Sequence, residues 1–400
     1  MNVNTVEKQK IAYVGPFSFP NGGAAARRIL GNAKSLRAAG YNVIIGSGQL
    51  SDNKTEYTMD SFDDFEVHSL GERTAENLPS FLKNLKYLSI GKKTITWLDN
   101  MKVKPSIIIL YSGYSPYFMR LLPWCKKNNV KLVFDAVEWY EATSTLKAIL
   151  SPYYWNIELA MRYYSVKTKN IIAISSYLKK YYESKKASVI VVPPTIDTNA
   201  FSVNIPEKIS TKLVIAYTGT PGHKDLFNNY LEAIIRTDFS GERIIFKVAG
   251  LTVQDILKYP ALRERNIKKK LPGCIATVGV VSHSHAIDVV RQADFSVLLR
   301  KPTRVAQAGF PTKVVESLTM GTPVIANLTS DLQYYLKDGE NSFVCNDYTP
   351  GSLIEVLEKI LKLSNNEINV MRKKARNTAE SYFDYRIYVN SFKIFLDSLQ

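Results

Sequence analysis

Cysteine is scarce. Only Cys125, Cys274 and Cys345 occur in 400 residues, far apart in the chain. They offer no disulfide framework and no zinc-ligand spacing, and they suit a reducing compartment. Histidine is as thin: of four, His283 and His285 stand two apart. On a helix they would diverge, and no carboxylate cluster accompanies them, so no metal is expected. Long apolar runs are also missing, and nothing approaches the ~18 residues of a spanning helix. The polar stretch 1–10 runs straight into a strand-like segment, which predicts no signal peptide. Acidic residues are the minority charge, 36 against 52 Lys and Arg, a formal +16. Such a chain calls for an anionic partner: nucleic acid, a phosphorylated substrate or a membrane surface. No recognised nucleic-acid motif is present, and charge alone would give salt-sensitive, sequence-blind binding, so nucleic acid is not expected.

What the chain does have is an ordinary globular composition, 46% apolar and 22% charged. That excludes a disordered or collagen-like chain, and the length predicts two or three domains. Ile11-Ala12-Tyr13-Val14 reads as a strand stopped by Gly15-Pro16. A loop with Gly22-Gly23, a helix over 24–39 and a strand over 41–45 follow. This β-loop-α-β unit is the building block of parallel sheets. Further strands are expected over 106–111, 130–135, 170–174 and 188–192. After Pro193-Pro194 the rhythm restarts, with strands over 213–217, 243–249, 276–278, 294–299 and 322–326. Helices are expected over 226–236, 286–292, 313–320 and 352–363, with a long helical pattern over 370–399. The fold class is α/β, with two doubly wound Rossmann-like domains facing across a cleft. The domains expected are 1–197, 198–380 and a C-terminal helix over 381–400 that packs back toward the first. In such sheets ligands bind outside the carboxyl ends of the strands, which makes the cleft the expected site.

The basic charge is uneven. Residues 79–187 hold 18 Lys and Arg against 6 Asp and Glu. The same stretch is rich in Trp and Tyr. Lys83, Lys86, Lys92, Lys93 and Trp97 fall in one mostly helical segment, 81–99, interrupted by Gly91. Lysines with an interfacial tryptophan are the chemistry of peripheral binding to an anionic membrane surface.

A second signature runs from 309 to 326, Gly-Phe-Pro-Thr-Lys-Val-Val-Glu-Ser-Leu-Thr-Met-Gly-Thr-Pro-Val-Ile-Ala. A strand ends near Leu299, a loop carries Gly309, and a helix begins near Lys313. The free N–H groups and positive dipole end of a helix start bind phosphate. Gly309 allows close backbone approach, Pro311 suits a position just ahead of a helix, and Lys313 adds a full charge. Glu316, one turn in, can accept hydrogen bonds from two vicinal ribose hydroxyls.

This signature resembles the donor-binding segment of GT-B glycosyltransferases, in particular the large retaining family four (group 1) type. Val191 to Phe201 is similar to that family's interdomain linker motif, with Pro194 and Thr195 where Asn and Gly are usual. Ala293-Asp294, the stretch 335–344, and Gly22-Gly23 with Arg27 and Arg28 match further pieces in order. The resemblance implies a nucleotide-sugar donor and a polysaccharide or lipid-linked acceptor. It implies no bound cofactor or metal, retention of anomeric configuration, and a cytoplasmic protein, peripheral on the inner membrane face where the acceptor is lipid-held. Donor contacts are implied for Gly23, Gly219, Gly279, Val280, Arg300, Arg304, Gly309, Phe310, Pro311, Thr312 and Glu316. Acceptor contacts are implied for Gly22 and Arg27. The residues acting at the reacting centre would be Glu138, Lys224 and Lys313.

Three positions depart from the pattern. Ala308 stands where a Glu is usual, Thr220 replaces a diphosphate-gripping Arg, and Val137 replaces a His. Lys224 is the remaining match in its loop, and Arg300 or Arg304 could restore the missing guanidinium. Glu138 occupies the place of an acid able to orient the acceptor hydroxyl or take its proton. Asp135 reads as structural, capping the loop. A nucleotide-sugar 2-epimerase on the same architecture, or a non-catalytic nucleotide-binding partner subunit, are the alternatives. The losses at Ala308 and Val137 argue against the first, and those at Ala308 and Thr220 keep the second open.

Overall fold

The computed structural model describes residues 9–21, 23–50, 58–72, 87–142, 151–201, 212–222 and 224–399. They fall into two compact units. The first comprises Met1–Ile196, Gln307–Phe310 and Tyr385–Gln400, and the second Asp197–Ala306 and Pro311–Asp384.

The first unit is built on an eight-stranded sheet. In chain order its strands are β1 (Lys10–Gly15), β2 (Asn42–Ser47), β3 (Thr58–Phe62), β4 (Phe65–Ser69), β5 (Ile107–Tyr111), β6 (Lys131–Ala136), β7 (Asn170–Ala173) and β8 (Ser188–Val191). In space they run β3-β4-β2-β1-β5-β6-β7-β8. Every pairing is parallel except the β3–β4 hairpin at one edge. Its central strands are apolar because both faces are covered: Ile107 to Leu110 and Ile11 to Val14 are all buried. Helix α1 (Ala24–Ala38) follows β1, and α2 (Lys92–Asp99), α3 (Ser115–Asn128), α4 (Pro152–Leu159) and α5 (Ser176–Ser184) make later crossovers.

The second unit carries six parallel strands in the order β11-β10-β9-β12-β13-β14. These are β9 (Leu213–Thr218), β10 (Ile244–Ala249), β11 (Ile275–Thr277), β12 (Phe295–Leu298), β13 (Val324–Asn327) and β14 (Ser342–Cys345). Its helices include α6 (Phe227–Thr237), α7 (His283–Gln292), α9 (Thr312–Thr319), α10 (Pro350–Ile360) and α11 (Asn365–Tyr382), while α8 (Arg304–Ala308) crosses from it into the Gln307–Phe310 segment of the first unit. The core joins β9, β10 and β12 to α6 and α10 through Tyr230, Ile234, Phe246, Leu353 and Leu357. The strand order reverses between β9 and β12. Such a switch point is where open α/β sheets bind ligands.

Several expectations need correction. The helical pattern over 370–399 is broken. Helix α11 stops at Tyr382, and α12 (Val389–Asp397) is a separate helix in the first unit. The break is fixed by Asp384, whose carboxylate accepts bonds from the Thr198 N–H (3.1 Å) and hydroxyl (2.5 Å). Phe392, Phe395 and Leu396 of α12 are buried with Ile29 and Leu36 of α1. Helix α7 begins at His283 rather than 286, because the Ser282 hydroxyl caps it by accepting from the His285 N–H. The segment 81–99 does not present Trp97 to solvent. Gly91, with φ 91°, starts α2 afresh, and Thr94, Trp97 and Leu98 form its buried face. Trp97 is 3% exposed and packs against the His68 ring. Lys92 and Lys93 are exposed, while Lys83 and Lys86 lie outside the described residues.

Candidate functional site

The carboxyl ends of the second unit's strands are knitted together at glycines. The Gly219 N–H donates to the Ala249 carbonyl (2.8 Å), and the Gly250 N–H to the Gly279 carbonyl (2.7 Å). A Cβ on Gly250 would lie 2.8 Å from the Gly219 backbone, and Gly219 itself has φ +100°. Neither position tolerates a side chain without movement. Beyond Gly279, Val280 is 77% exposed.

Lys313 reaches this floor from the first turn of α9. A Cβ on Gly219 would sit 3.3 Å from Lys313 Cε, so the lysine stem lies directly over the loop after β9. Lys313 Nζ donates to Asp225 Oδ2 (2.6 Å) and to the Tyr217 hydroxyl (2.8 Å), and it stands 4.2 Å from the Tyr217 ring centre. The Tyr217 hydroxyl in turn donates to Asp225 Oδ2 (2.9 Å). Arg300 shares the same carboxylate, with Nε and Nη2 each 3.0 Å from Asp225 Oδ1. Its backbone is pinned to the end of β13: Arg300 N–H donates to Asn327 Oδ1 and Asn327 Nδ2 to the Arg300 carbonyl, both at 2.8 Å.

Two cations on one carboxylate leave this cluster a net positive charge. Burial alone would raise the Asp225 carboxyl. The charges of Lys313 and Arg300 outweigh it and hold the group at about 2. Burial draws the Lys313 ammonium below its ordinary value, with Asp225 opposing. Lys224 is half-buried in the loop that carries Asp225.

Pro311 caps α9 with an extended backbone, placing Thr312 and Lys313 in the first turn where N–H groups have no helical partner. Glu316 follows one turn later and is 7% exposed. His283 Nε2, from the start of α7, lies 3.1 Å from Glu316 Oε1. Arg304 opens α8, with its Nε buried.

In the first unit Gly23 caps α1 with φ +64°, a backbone few other residues adopt. Gly22 lies outside the described residues. Arg27 is half-buried in the first turn of α1. Arg28, one residue on, is fully buried in an ion pair with Asp135, at 2.6 Å from Nη2 to Oδ1. The Tyr13 hydroxyl also donates to Asp135, Asn32 Nδ2 donates to Tyr13 (3.0 Å), and Arg28 Nη1 donates to the Val192 carbonyl (2.8 Å). Asp135 is therefore structural, but it binds helix α1 to β1 and β6 rather than capping its own loop.

Glu138 follows β6 and is half-buried. It hydrogen-bonds Tyr140, whose phenol is pushed up first by burial and then by this carboxylate; the charges of Glu138 and Asp135 act likewise on buried Tyr111. Ala308, Gly309 and Phe310 cluster with the first unit, where the Ser175 hydroxyl donates to the Ala308 carbonyl (2.7 Å).

Residues 204–378 match the model of the family described as glycosyl transferases group 1. This segment is similar to a group 1 glycosyl transferase domain. Among solved structures, the chain is similar to sucrose-phosphate synthase from Thermosynechococcus elongatus, at TM-score 0.70 and 15% identity over 98% of this chain and 99% of that one. It is also similar to HepE of Anabaena in complex with UDP-glucose, at TM-score 0.64 and 15% identity over 98% and 99%. A third likeness is to WaaG, a glycosyltransferase involved in lipopolysaccharide biosynthesis, at TM-score 0.66 and 13% identity over 97% and 100%. The chain has the GT-B fold. No curated protein matches its sequence.

Within the matched segment the structure brings together Gly219, Arg300 and Lys313, with Gly279 at the adjoining strand end. Glu316 is placed beside His283 on the same helix as Lys313. Sequence reasoning missed Asp225, Tyr217 and His283 as members. Asp225 carried a signal, being the acid that closes the loop after β9 next to Lys224. The Arg28–Asp135 pair, separated by 107 positions, carried none. No helix among the described residues is long and apolar enough to cross a membrane, and no group of three metal-ligating side chains occurs among them.

Proposed function

We propose that the protein transfers a sugar from a nucleotide-sugar donor to an acceptor hydroxyl, with retention, in the assembly of a surface polysaccharide or glycolipid. The observation that carries this reading is Lys313: a helix-start lysine lying over the positive-φ Gly219 loop, at the switch point of a sheet inside the group 1 match.

The leaving group would be a nucleoside diphosphate. Its developing charge needs donors fixed in advance. Lys313, the open N–H groups of α9 and Lys224 supply them, and Arg300 adds positive potential while tied to Asp225. Glu316 would accept from the two ribose hydroxyls in place of His283. The bond from the anomeric carbon to the diphosphate oxygen breaks as the acceptor oxygen bonds on the same face, through an oxocarbenium-like state. The acceptor proton passes to the departing diphosphate, and Glu138 would orient the acceptor hydroxyl. The hexosyl type, the cytoplasmic location and an acceptor held at an anionic membrane belong to the same proposal.

The test is a thermal-shift screen of nucleoside diphosphates and nucleotide sugars, since a ligand of the folded state raises the melting temperature. A hit that turns over with a lipid-linked or saccharide acceptor supports the reading. Tight binding without transfer to any acceptor would favour the non-catalytic alternative.

A further inference from the structure

Burial of Trp97 removes the tryptophan first expected at a membrane surface. A different face of the first unit carries the missing anchor. Of the four tryptophans, Trp97, Trp124 and Trp139 are at most 7% exposed, whereas Trp155 is 62% exposed. Trp155 lies on α4, which continues without a break through a wider π-helical turn over Ala160–Tyr164. Leu159 and Tyr163, four and eight residues on, are 45% and 51% exposed. A spacing of four overshoots one α-turn of 3.6 residues and undershoots the i→i+5 turn that follows. The two offsets oppose each other, so Trp155, Leu159 and Tyr163 form one exposed stripe.

The stretch that carries the stripe is basic. Residues 151–187 contain seven Lys and Arg and two Asp and Glu. Arg162, Lys167, Lys169, Lys180, Lys185 and Lys186 are exposed. Lys167 Nζ stands 3.9 Å from the centre of the Tyr163 ring, joining charge to stripe. Glu158 is half-buried and paired to Arg162 at 2.5 Å.

We propose that this stripe seats the protein on an anionic lipid bilayer, with Trp155, Leu159 and Tyr163 at the headgroup boundary and Lys167, beside Tyr163, on the anionic headgroups. Tryptophan and tyrosine suit that boundary, having an apolar body and a polar tip. Leu159 decides against a nucleic acid, because an aliphatic side chain between two rings gains nothing from phosphate and gains only by leaving water. The charge decides against a second copy of this chain, which would bring the same positive face to its own. The proposal rests on the reading of the acceptor as membrane-held and on nothing in the donor site.

The experiment is co-sedimentation of the full chain with vesicles of phosphatidylcholine alone and of phosphatidylcholine with phosphatidylglycerol, with Trp155 followed by bromolipid quenching. Binding to the anionic vesicles, quenched emission, and release in 1 M salt, where the Debye length is about 3 Å, are expected. The triple variant Trp155→Ser, Leu159→Ser, Tyr163→Ser, confirmed folded by its melting temperature, should partition at least about tenfold less. The single variant Trp155→Phe should still bind but lose the quenching. No binding to anionic vesicles, or binding that the triple variant retains, would overturn the proposal. So would a DNA duplex that the triple variant releases while vesicles never bind. Nucleoside-diphosphate binding, measured without vesicles, separates this outcome from a failure of the donor reading.

Discussion

Lys313 Nζ and Asp225 Oδ2 lie 2.6 Å apart, and the carboxylate is 6% exposed against 25% for the lysine. The pair joins the helix that begins the group 1 signature to the loop after β9. It fixes the ammonium over Gly219 before any ligand arrives. With Arg300 on the other oxygen, Asp225 holds two cations that would otherwise repel.

Removing that carboxylate should therefore cost stability. Asp225→Asn leaves two largely buried cations unpaired, a loss of about 3 kcal/mol, the lower end for a broken buried pair because Lys313 keeps partial access to water. Urea unfolding at neutral pH measures it. A variant as stable as the parent would mean the pair is not formed.

The same carboxyl gives a pH signature. Its folded value is depressed to about 2, against about 3.9 when unfolded. A depressed carboxyl stabilises the fold above the unfolded value and loses that contribution as pH falls through the folded one. Between pH 4 and pH 2 the parent should lose roughly 2 kcal/mol more than Asp225→Asn. Parallel pH curves for the two proteins would contradict the assignment.

In the first unit, Asp135→Asn should cost about 3–5 kcal/mol by leaving the fully buried Arg28 without its counter-charge. Arg28→Lys should not rescue the site, because a lysine cannot reproduce the forked contacts to Asp135 and the Val192 carbonyl. Unfolding curves of the variants test both statements, and a mild Arg28→Lys phenotype would refute the second.

Much of this was legible in the sequence. The alternation of short apolar strands with helices placed most strands within a residue or two, and Gly-Pro and Pro-Pro breaks marked their ends. Strands β3 and β4 were missed because neither Thr58-Met59-Asp60-Ser61-Phe62 nor Phe65-Glu66-Val67-His68-Ser69 has a continuous apolar run to announce it. Trp97 was misplaced because lysines at 92 and 93 suggested an exposed helix. The spacing 94, 97, 98 sets the face instead, and it turns Trp97 inward. The site's glycines and Lys313 could be read from local pattern, since a helix start after a glycine loop is a local feature. His283 and the Arg28–Asp135 pair depend on which strand ends meet, which sheet order determines; Asp225 had a local signal beside Lys224, but its pairing with Lys313 and Arg300 had none.

Glu316→Gln should raise the KM for the nucleotide sugar while leaving the melting temperature nearly unchanged, because the amide keeps the shape but donates where the carboxylate accepts. His283→Ala should lower that KM or leave it unaltered, since His283 Nε2 occupies the Glu316 oxygen that the ribose would take. Steady-state kinetics decides; a large KM increase in His283→Ala would make the histidine a donor contact in its own right.

The most direct measurement is calorimetric titration of the parent and of Lys313→Ala with a panel of nucleoside diphosphates. One of them should bind the parent. A charge-assisted hydrogen bond is worth about 1.5–3 kcal/mol, so the variant should bind the same nucleotide about tenfold or more weakly. A folded Lys313→Ala variant with unchanged affinity, or a parent that binds no nucleoside diphosphate, would contradict the account.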